Sequence, residues 1–152
     1  MADILVIDRD SQFRRLWRIA LGAAGHRVRE ASAYDHGAYR YFGDRADLVL
    51  VDLGQPYRDG LDTILWLRSV DPHVRIIAVA DGPVAETPGI VPMALRFGAA
   101  LVLLKPFDSD VLQASVRRVV SDARAPRCAQ PVRTSFRQSS VSSGALFRPG
   151  GD

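Results

Sequence analysis

Three charged side chains each follow an apolar run, and together they could form a charged ligand-binding site. Asp8 follows residues 4–7, Asp52 follows residues 48–51, and Lys105 follows residues 101–104. Continuous apolar runs of this kind are typical of parallel strands covered by helices on both faces. Ligands of such sheets bind beyond the carboxyl ends of the strands. Two carboxylates and one ammonium would therefore meet in one crevice.

The elements that must position these residues alternate between strands and helices. The spacing predicts strands over 4–7, 27–31, 47–51, 74–79 and 99–104. It predicts helices from about 11 to 24, over 34–42, 60–70 and 91–97, and from 108 to about 119. Such alternation indicates right-handed β-α-β crossovers and a doubly wound parallel sheet, an α/β fold. The five-stranded version is flavodoxin-like, (βα)5 with strand order 2-1-3-4-5, which places the first, third and fifth strands near one another.

The first helix is predicted from its capping residues and its apolar spacing. Asp10 or Ser11 would cap it, and Gly25 would follow its end. One apolar stripe is predicted to face the core, formed by Phe13, Leu16, Trp17, Ala20 and Ala24. Between the fourth and fifth strands, prolines at 83, 88 and 92 leave only residues 91–97 as a clear helix.

Composition predicts a single domain with a basic extension. The chain has 152 residues, of which 47% are hydrophobic, enough for one core. Residues 1–120 hold 15 basic and 15 acidic side chains, whereas residues 121–152 hold five arginines and two aspartates. We therefore predict a domain over 1–122 and a flexible extension over 123–152, rich in Pro, Ser, Gly and Arg.

Several classes of protein are disfavoured by the same composition. No apolar run approaches the ~20 residues of a membrane span, and the first residues do not resemble a signal peptide. Cys128 is the only cysteine, which excludes an intrachain disulfide. No helix-turn-helix pattern follows residue 120, so direct DNA binding is not expected. We expect a soluble, cytoplasmic protein without membrane contact.

The segment that begins at Asp52 resembles the receiver domain of two-component response regulators. Asp52 is followed by Pro56 four residues later and by Asp59-Gly60 seven and eight residues later, as in the phosphoacceptor motif of that family. The resemblance covers residues 2–121. It extends to the segments at 98–100 and 105–107, the second of which carries a Lys-Pro bond that is cis in receivers.

The resemblance implies a site and a signalling role. Asp52 would accept a phosphoryl group from a histidine kinase or phosphotransfer protein, and Lys105 would contact that group. Mg²⁺ would be held by Asp8, Asp52 and the backbone carbonyl of Gly54. The predicted function is that of a stand-alone response regulator in a phosphorelay, signalling to a downstream protein by contact and without catalysis. The oligomeric state is open, with a homodimer as one option.

Three positions depart from the family pattern. Arg9 stands where receivers have a second acid, so one metal ligand is missing and Mg²⁺ binding would be weak or lost. Arg9 would either substitute for the metal as a built-in cation or turn into solvent. Ala80 replaces the Ser or Thr whose hydroxyl binds the phosphoryl group, and Leu101 stands where receivers often carry a switching aromatic residue.

Two other functions remain open at this point. Asp8 and Asp10 match the first Asp-x-Asp motif of haloacid-dehalogenase-type phosphatases, with Asp8 as nucleophile and Asp10 as general acid. Alternatively, the chain would be a receiver fold that has lost phosphorylation and acts as a docking module. The arginine-bearing faces of the first and last helices would then be candidate contact surfaces.

Overall fold

A five-stranded parallel sheet forms the centre of the molecule, in a computed structural model that describes residues 1–32, 34–54 and 56–122. The strand order is β2-β1-β3-β4-β5. The strands are β1 (Asp3–Ile7), β2 (Arg27–Ala31), β3 (Leu48–Asp52), β4 (Ile76–Ala80) and β5 (Leu101–Leu104). The helices are α1 (Ser11–Ala23), α2 (Tyr34–Gly43), α3 (Tyr57–Val70), α4 (Gly82–Glu86), α5 (Ile90–Phe97) and α6 (Ser109–Ser121). The predicted flavodoxin-like fold and strand order are confirmed.

Strand register brings the predicted charged residues to one edge of the sheet. Ile7 of β1 pairs with Val51 of β3, so Asp8 and Asp52 leave adjacent strands at the same level. Ala80 of β4 pairs with Leu104 of β5, which places Lys105 one residue beyond that pair. The three charged residues therefore emerge at the carboxyl ends of the strands.

Two apolar layers bury the sheet between the helices. One layer packs α2, α3 and α5 against alternate strand residues such as Val49 and Val51. The other layer packs α1 and α6 against the intervening residues, such as Leu48 and Leu50. Every residue of β3 and β4 is buried, because central strands of a doubly wound sheet are covered on both faces.

Several predicted helix boundaries were wrong. α3 begins at Tyr57, three residues before the predicted start at Gly60. α4 was not predicted, and it accommodates Pro83 because a proline in the first helical turn loses no intrahelical hydrogen bond. In α1 the buried residues are Trp17 and Leu21, whereas Leu16 of the predicted stripe is exposed. The predicted apolar stripe included both Leu16 and Trp17, but two consecutive residues of a helix cannot both lie at the middle of one face. The buried face is centred on Trp17.

Two expectations concern membranes and the basic extension. No helix in the described ranges is long and apolar enough to cross a membrane. The predicted extension over 123–152 lies outside the described residues.

A buried hydrogen bond joins α2 to the end of α3. The Tyr41 hydroxyl donates to Asp71 Oδ2 at 2.6 Å, and the His73 main-chain N–H donates to Asp71 Oδ1 at 2.9 Å. Burial alone would raise the pKa of Asp71, but these hydrogen bonds and the charge of Arg45 lower it on balance. This carboxylate therefore stabilises the fold above its ordinary pKa and loses that contribution in acid.

We expect Tyr41→Phe to lower the free energy of unfolding by about 1–3 kcal/mol at neutral pH, because Asp71 would keep its charge without its buried donor. The matched control is Tyr39→Phe, since Tyr39 lies on the same helix and is 81% exposed. Urea denaturation measures both variants. Equal stability of the two variants would contradict a structural role for the Tyr41 hydroxyl.

Candidate functional site

Asp52 and Lys105 are in direct contact at the carboxyl edge of the sheet. Lys105 Nζ lies 3.0 Å from Asp52 Oδ1, and both side chains are largely buried. Asp52 Oδ2 accepts a hydrogen bond of 2.9 Å from the Gly54 main-chain N–H. Each oxygen of the carboxylate thus has one donor, and the negative charge is partly neutralised.

Asp8 is the second carboxylate of this cluster and is only 1% exposed. Its Oδ1 accepts a hydrogen bond of 2.8 Å from the Asp10 main-chain N–H, but its Oδ2 is buried without a hydrogen-bond partner among the described residues. Burial, and then the negative charge of Asp52, raise the pKa of Asp8 to about 6. A bound cation would satisfy the orphaned oxygen.

Aromatic rings of α1 hold the ammonium of Lys105. Its Nζ lies 3.7 Å from the ring centroid of Phe13 and 5.5 Å from that of Trp17. A cation over an aromatic face is stabilised by the ring quadrupole, most strongly where water is excluded. The sequence pattern predicted both aromatic residues as packing residues and gave no sign that they contact the lysine.

Arg9 is about half exposed and pairs with a carboxylate outside the cluster. Its Nη2 lies 2.7 Å from Asp59 Oδ2, and its guanidinium lies 5.0 Å from the ring centroid of Tyr34. Within the described part of the chain, Arg9 makes no ion pair with Asp8 or Asp52. Pro56 occupies the N-cap position of α3, and Asp59 lies in the first turn of that helix. Arg9 therefore binds the helix rather than the carboxylate cluster.

Tyr34 and Gly60 fix the main chain around Asp52. The Tyr34 hydroxyl donates to the Asp52 carbonyl oxygen at 3.0 Å, and burial raises the pKa of this hydroxyl to about 12, which keeps it protonated. A Cβ at Gly60 would lie 2.8 Å from the same carbonyl oxygen. The glycine of the Asp-Gly pair is thus needed for close packing of α3 on β3.

Ala80 and Leu101 are both buried strand residues. The Ala80 carbonyl accepts a hydrogen bond of 2.8 Å from the Lys105 N–H, and its methyl group offers no hydroxyl to the cluster. Leu101 faces the layer of α1 and α6, whereas Val102 shares the layer of α5 with Ala80. In β5, Val102 and not Leu101 therefore shares a layer with Ala80 and α5.

Asp10 is explained as a helix cap. Its Oδ1 accepts a hydrogen bond of 2.8 Å from the Gln12 main-chain N–H, which satisfies one of the free donors at the start of α1. An oxygen held in this way is not placed as a general acid beside Asp8. The haloacid-dehalogenase interpretation loses its second residue.

The oxygen atoms of the cluster fit a Mg²⁺ site in which the protein supplies only a few of the ligands. The residues described contain no group of three or more His, Cys, Asp or Glu side chains arranged for a metal. They do offer the carboxylates of Asp8 and Asp52, and one oxygen of Asp8 is buried without a hydrogen-bond partner. Mg²⁺ is usually bound by one or two carboxylates, with waters and phosphate oxygens completing its octahedron.

Comparison with known proteins identifies the family. The model of the response regulator receiver domain matches residues 4–117. The chain belongs to the response regulator receiver domain family. The predicted cis Lys105–Pro106 peptide of receiver domains is also present.

Relatives of this receiver domain include longer regulators. It is 34% identical over 119 residues to the KDP operon transcriptional regulatory protein KdpE of Escherichia coli, covering 77% of this chain and 50% of that protein. It is 32% identical over 127 residues to the DNA-binding transcriptional regulator NtrC of Azospirillum brasilense, covering 82% of this chain and 25% of that protein. The receiver domain thus matches half or less of these two relatives.

Solved structures share the fold. The crystal structure of NtrX from Brucella abortus superposes with a TM-score of 0.74 at 27% identity, covering 81% of this chain and 27% of that one. A response regulator receiver domain protein from Clostridium thermocellum gives a TM-score of 0.74 at 23% identity, covering 82% and 98% of the two chains. The second match extends over nearly the whole of a protein that is itself a receiver domain.

We expect Asp8→Asn to raise the free energy of unfolding at pH 8 by about 1–2 kcal/mol in the presence of a chelator. Asp8 has a higher pKa in the folded state than in the unfolded state. Its favourable contribution to folding stability is therefore complete below pH 4, where Asp8 is protonated in both states, and is lost as the pH rises through 6. Denaturation at pH 4 and pH 8 measures the effect. The control is the exposed Asp44→Asn, and a gain from Asp8→Asn that is equal at both pH values would contradict the assignment.

Proposed function

We propose that this receiver domain accepts a phosphoryl group on Asp52 from a histidine kinase or phosphotransfer protein. The observation that carries the proposal is the pairing of Asp52 with Lys105 Nζ at 3.0 Å, at the carboxyl edge of the sheet. The family assignment and the Asp52–Gly60 motif support it.

The transfer we propose forms a bond from an Asp52 oxygen to phosphorus while the bond from phosphorus to the donor's imidazole nitrogen breaks. An incoming phosphoryl group adds about two negative charges beside Asp8. In this proposal Lys105, which contacts Asp52, neutralises the charge on the equatorial oxygens. Asp8, Asp52 and the Gly54 carbonyl would hold Mg²⁺, which when bound offsets the charge of the phosphoryl oxygens.

Arg9 makes the proposed site poorer in metal ligands than the family pattern. Arg9 stands at the position where the family has a second acid. The site therefore lacks one carboxylate ligand and has an added positive charge nearby. The ion pair of Arg9 with Asp59 joins the loop after β1 to the first turn of α3. We infer that Mg²⁺ binds weakly and that Lys105 supplies a larger share of the neutralisation.

A second candidate function is a docking module that no longer switches. Ala80 favours it, since the buried methyl group cannot donate a hydrogen bond to a phosphoryl oxygen. In both cases we propose a cytoplasmic signalling protein that acts by protein contact. The two functions differ in whether phosphorylation of Asp52 changes the conformation.

We expect Asp52→Asn to abolish labelling by acetyl phosphate with Mg²⁺, measured as the gain of one phosphoryl mass by intact mass spectrometry. The amide cannot act as the nucleophile. Asp44→Asn, at an exposed aspartate outside the cluster, should label like the unaltered chain. Equal labelling of the Asp52→Asn variant would show that another residue is the acceptor.

We expect Arg9→Asp to increase Mg²⁺ affinity by on the order of tenfold, because it adds a ligand and removes a repelling charge. Titration calorimetry or Mg²⁺-dependent amide shifts measure the affinity. Arg58→Asp is the matched control, since Arg58 is an exposed residue of α3 and the net charge changes equally. An equal gain in Mg²⁺ affinity in both variants would show that the effect comes from net charge alone.

We expect Ala80→Thr to enlarge the response of residues 82–97 to beryllofluoride, measured by amide hydrogen exchange. One added charge-assisted hydrogen bond, worth roughly 1.5–3 kcal/mol, shifts a two-state population by about one to two decades. Ala80→Val is the control, because valine has nearly the same shape as threonine but no hydroxyl. An equal response in both variants would assign the change to packing, and a full response in the unaltered chain would argue against the docking module.

A further inference from the structure

A groove of about 710 Å³ runs between α2 and α3, beside the proposed phosphorylation site. Four aromatic side chains and two carboxylates contribute to its lining, together with the guanidinium of Arg9. They are Tyr34, Tyr39, Phe42 and Trp66, with Asp59 and Asp62. We call this surface the α2–α3 groove.

Two of these aromatic residues are strongly exposed. Tyr39 is 81% exposed and Phe42 is 75% exposed. They are three residues apart on α2, so both lie on the same side of the helix. An exposed aromatic pair next to a groove is typical of a surface that binds another chain.

One carboxylate of the groove, Asp62, is available to a cationic ligand, whereas Asp59 is already paired with Arg9. Asp62 is 64% exposed at its side chain, and its ion pair with Arg58 is long, 3.7 Å, between two exposed groups. Such a pair contributes little and is easily exchanged. Aromatic faces beside carboxylates favour guanidinium groups, which stack on rings and pair with carboxylate oxygens. The expected ligand is an arginine-rich peptide segment.

The chain itself contains a segment of this chemistry. Residues 123–152 carry five arginines, no lysine and a single acidic side chain, Asp152. Residues 1–122 carry 15 basic and 16 acidic side chains. The two parts of the chain thus have opposite net charge, and the basic part has the side chains that the groove favours.

The covalent connection permits the contact. α6 ends at Ser121 in the layer of α1, on the other side of the sheet from the groove. The middle of the segment is about 15 residues beyond the domain, which span up to about 50 Å when extended and about 20 Å on average as a flexible coil. A domain of this size has a radius of gyration of about 14 Å. The middle of the segment can therefore reach the groove.

We propose that residues 123–152 dock within the same molecule into the α2–α3 groove. Arginine side chains of the segment stack on Tyr39, Phe42 and Trp66, and pair with Asp62. The proposal concerns the unphosphorylated chain and does not depend on the phosphorylation of Asp52. Its consequence is that the groove is covered by the chain's own basic segment until a competing partner displaces it.

Paramagnetic relaxation tests the contact in the full chain. A nitroxide is attached at residue 140 by Ser140→Cys in a Cys128→Ser background, which leaves one reactive thiol. The two tryptophan indole N–H signals report on the two layers, since Trp66 lines the groove and Trp17 is buried in the opposite layer. We expect at least a twofold greater loss of the Trp66 signal than of the Trp17 signal.

Matched variants and a mixing experiment decide the origin of the effect. Tyr39→Ser with Phe42→Ser should restore the Trp66 signal, whereas Leu16→Ser with Ile19→Ser, at two exposed positions of α1, should not. Equal loss of both indole signals, or a Trp66 loss that survives the groove variant, overturns the proposal. In a mixture of spin-labelled unenriched chain with unlabelled ¹⁵N chain, docking within one molecule should leave the Trp66 signal unchanged. A loss of the Trp66 signal in this mixture as large as in the fully labelled sample overturns docking within one molecule and indicates a second copy.

Discussion

Charge at the carboxyl edge of the sheet is the constraint on which the site depends. Parallel strands deliver Asp8 and Asp52 to one crevice from which most water is excluded, and like charges in such a place oppose each other. Lys105 offsets this repulsion by direct contact with Asp52, and the rings of Phe13 and Trp17 stabilise its ammonium. Asp8 remains under-neutralised, as its raised pKa and its orphaned oxygen show. The unliganded cluster is therefore poised to take up positive charge.

The positive charge of Arg9 pairs with a carboxylate outside the Asp8–Asp52 cluster. Its guanidinium binds Asp59 and lies over the ring of Tyr34, whose hydroxyl donates a hydrogen bond to the Asp52 carbonyl oxygen. These contacts connect the loop after β1, the start of α2 and the first turn of α3. An acid at position 9 would repel Asp59, so the replacement changes the packing around the site as well as its metal ligands.

The two helical layers have different surfaces. The layer of α1 and α6 supplies the aromatic rings that hold Lys105, and so contributes to the site from below the sheet. The layer of α2 and α3 leaves aromatic residues exposed beside carboxylates at the edge of the same site. A ligand in the α2–α3 groove would lie next to the Arg9–Asp59 ion pair.

The sequence alone determined the sheet, its order and the meeting of Asp8, Asp52 and Lys105, because apolar runs and β-α alternation are local patterns with few possible topologies. It also determined that position 80 offers no hydroxyl. The tertiary structure decided the partner of Arg9, the contact of Phe13 with Lys105, and the layer that Leu101 faces. These depend on side chains that are far apart in sequence, such as Arg9 and Asp59, fifty residues apart. Local spacing cannot predict them, because an arginine side chain chooses among carboxylates by three-dimensional distance and desolvation.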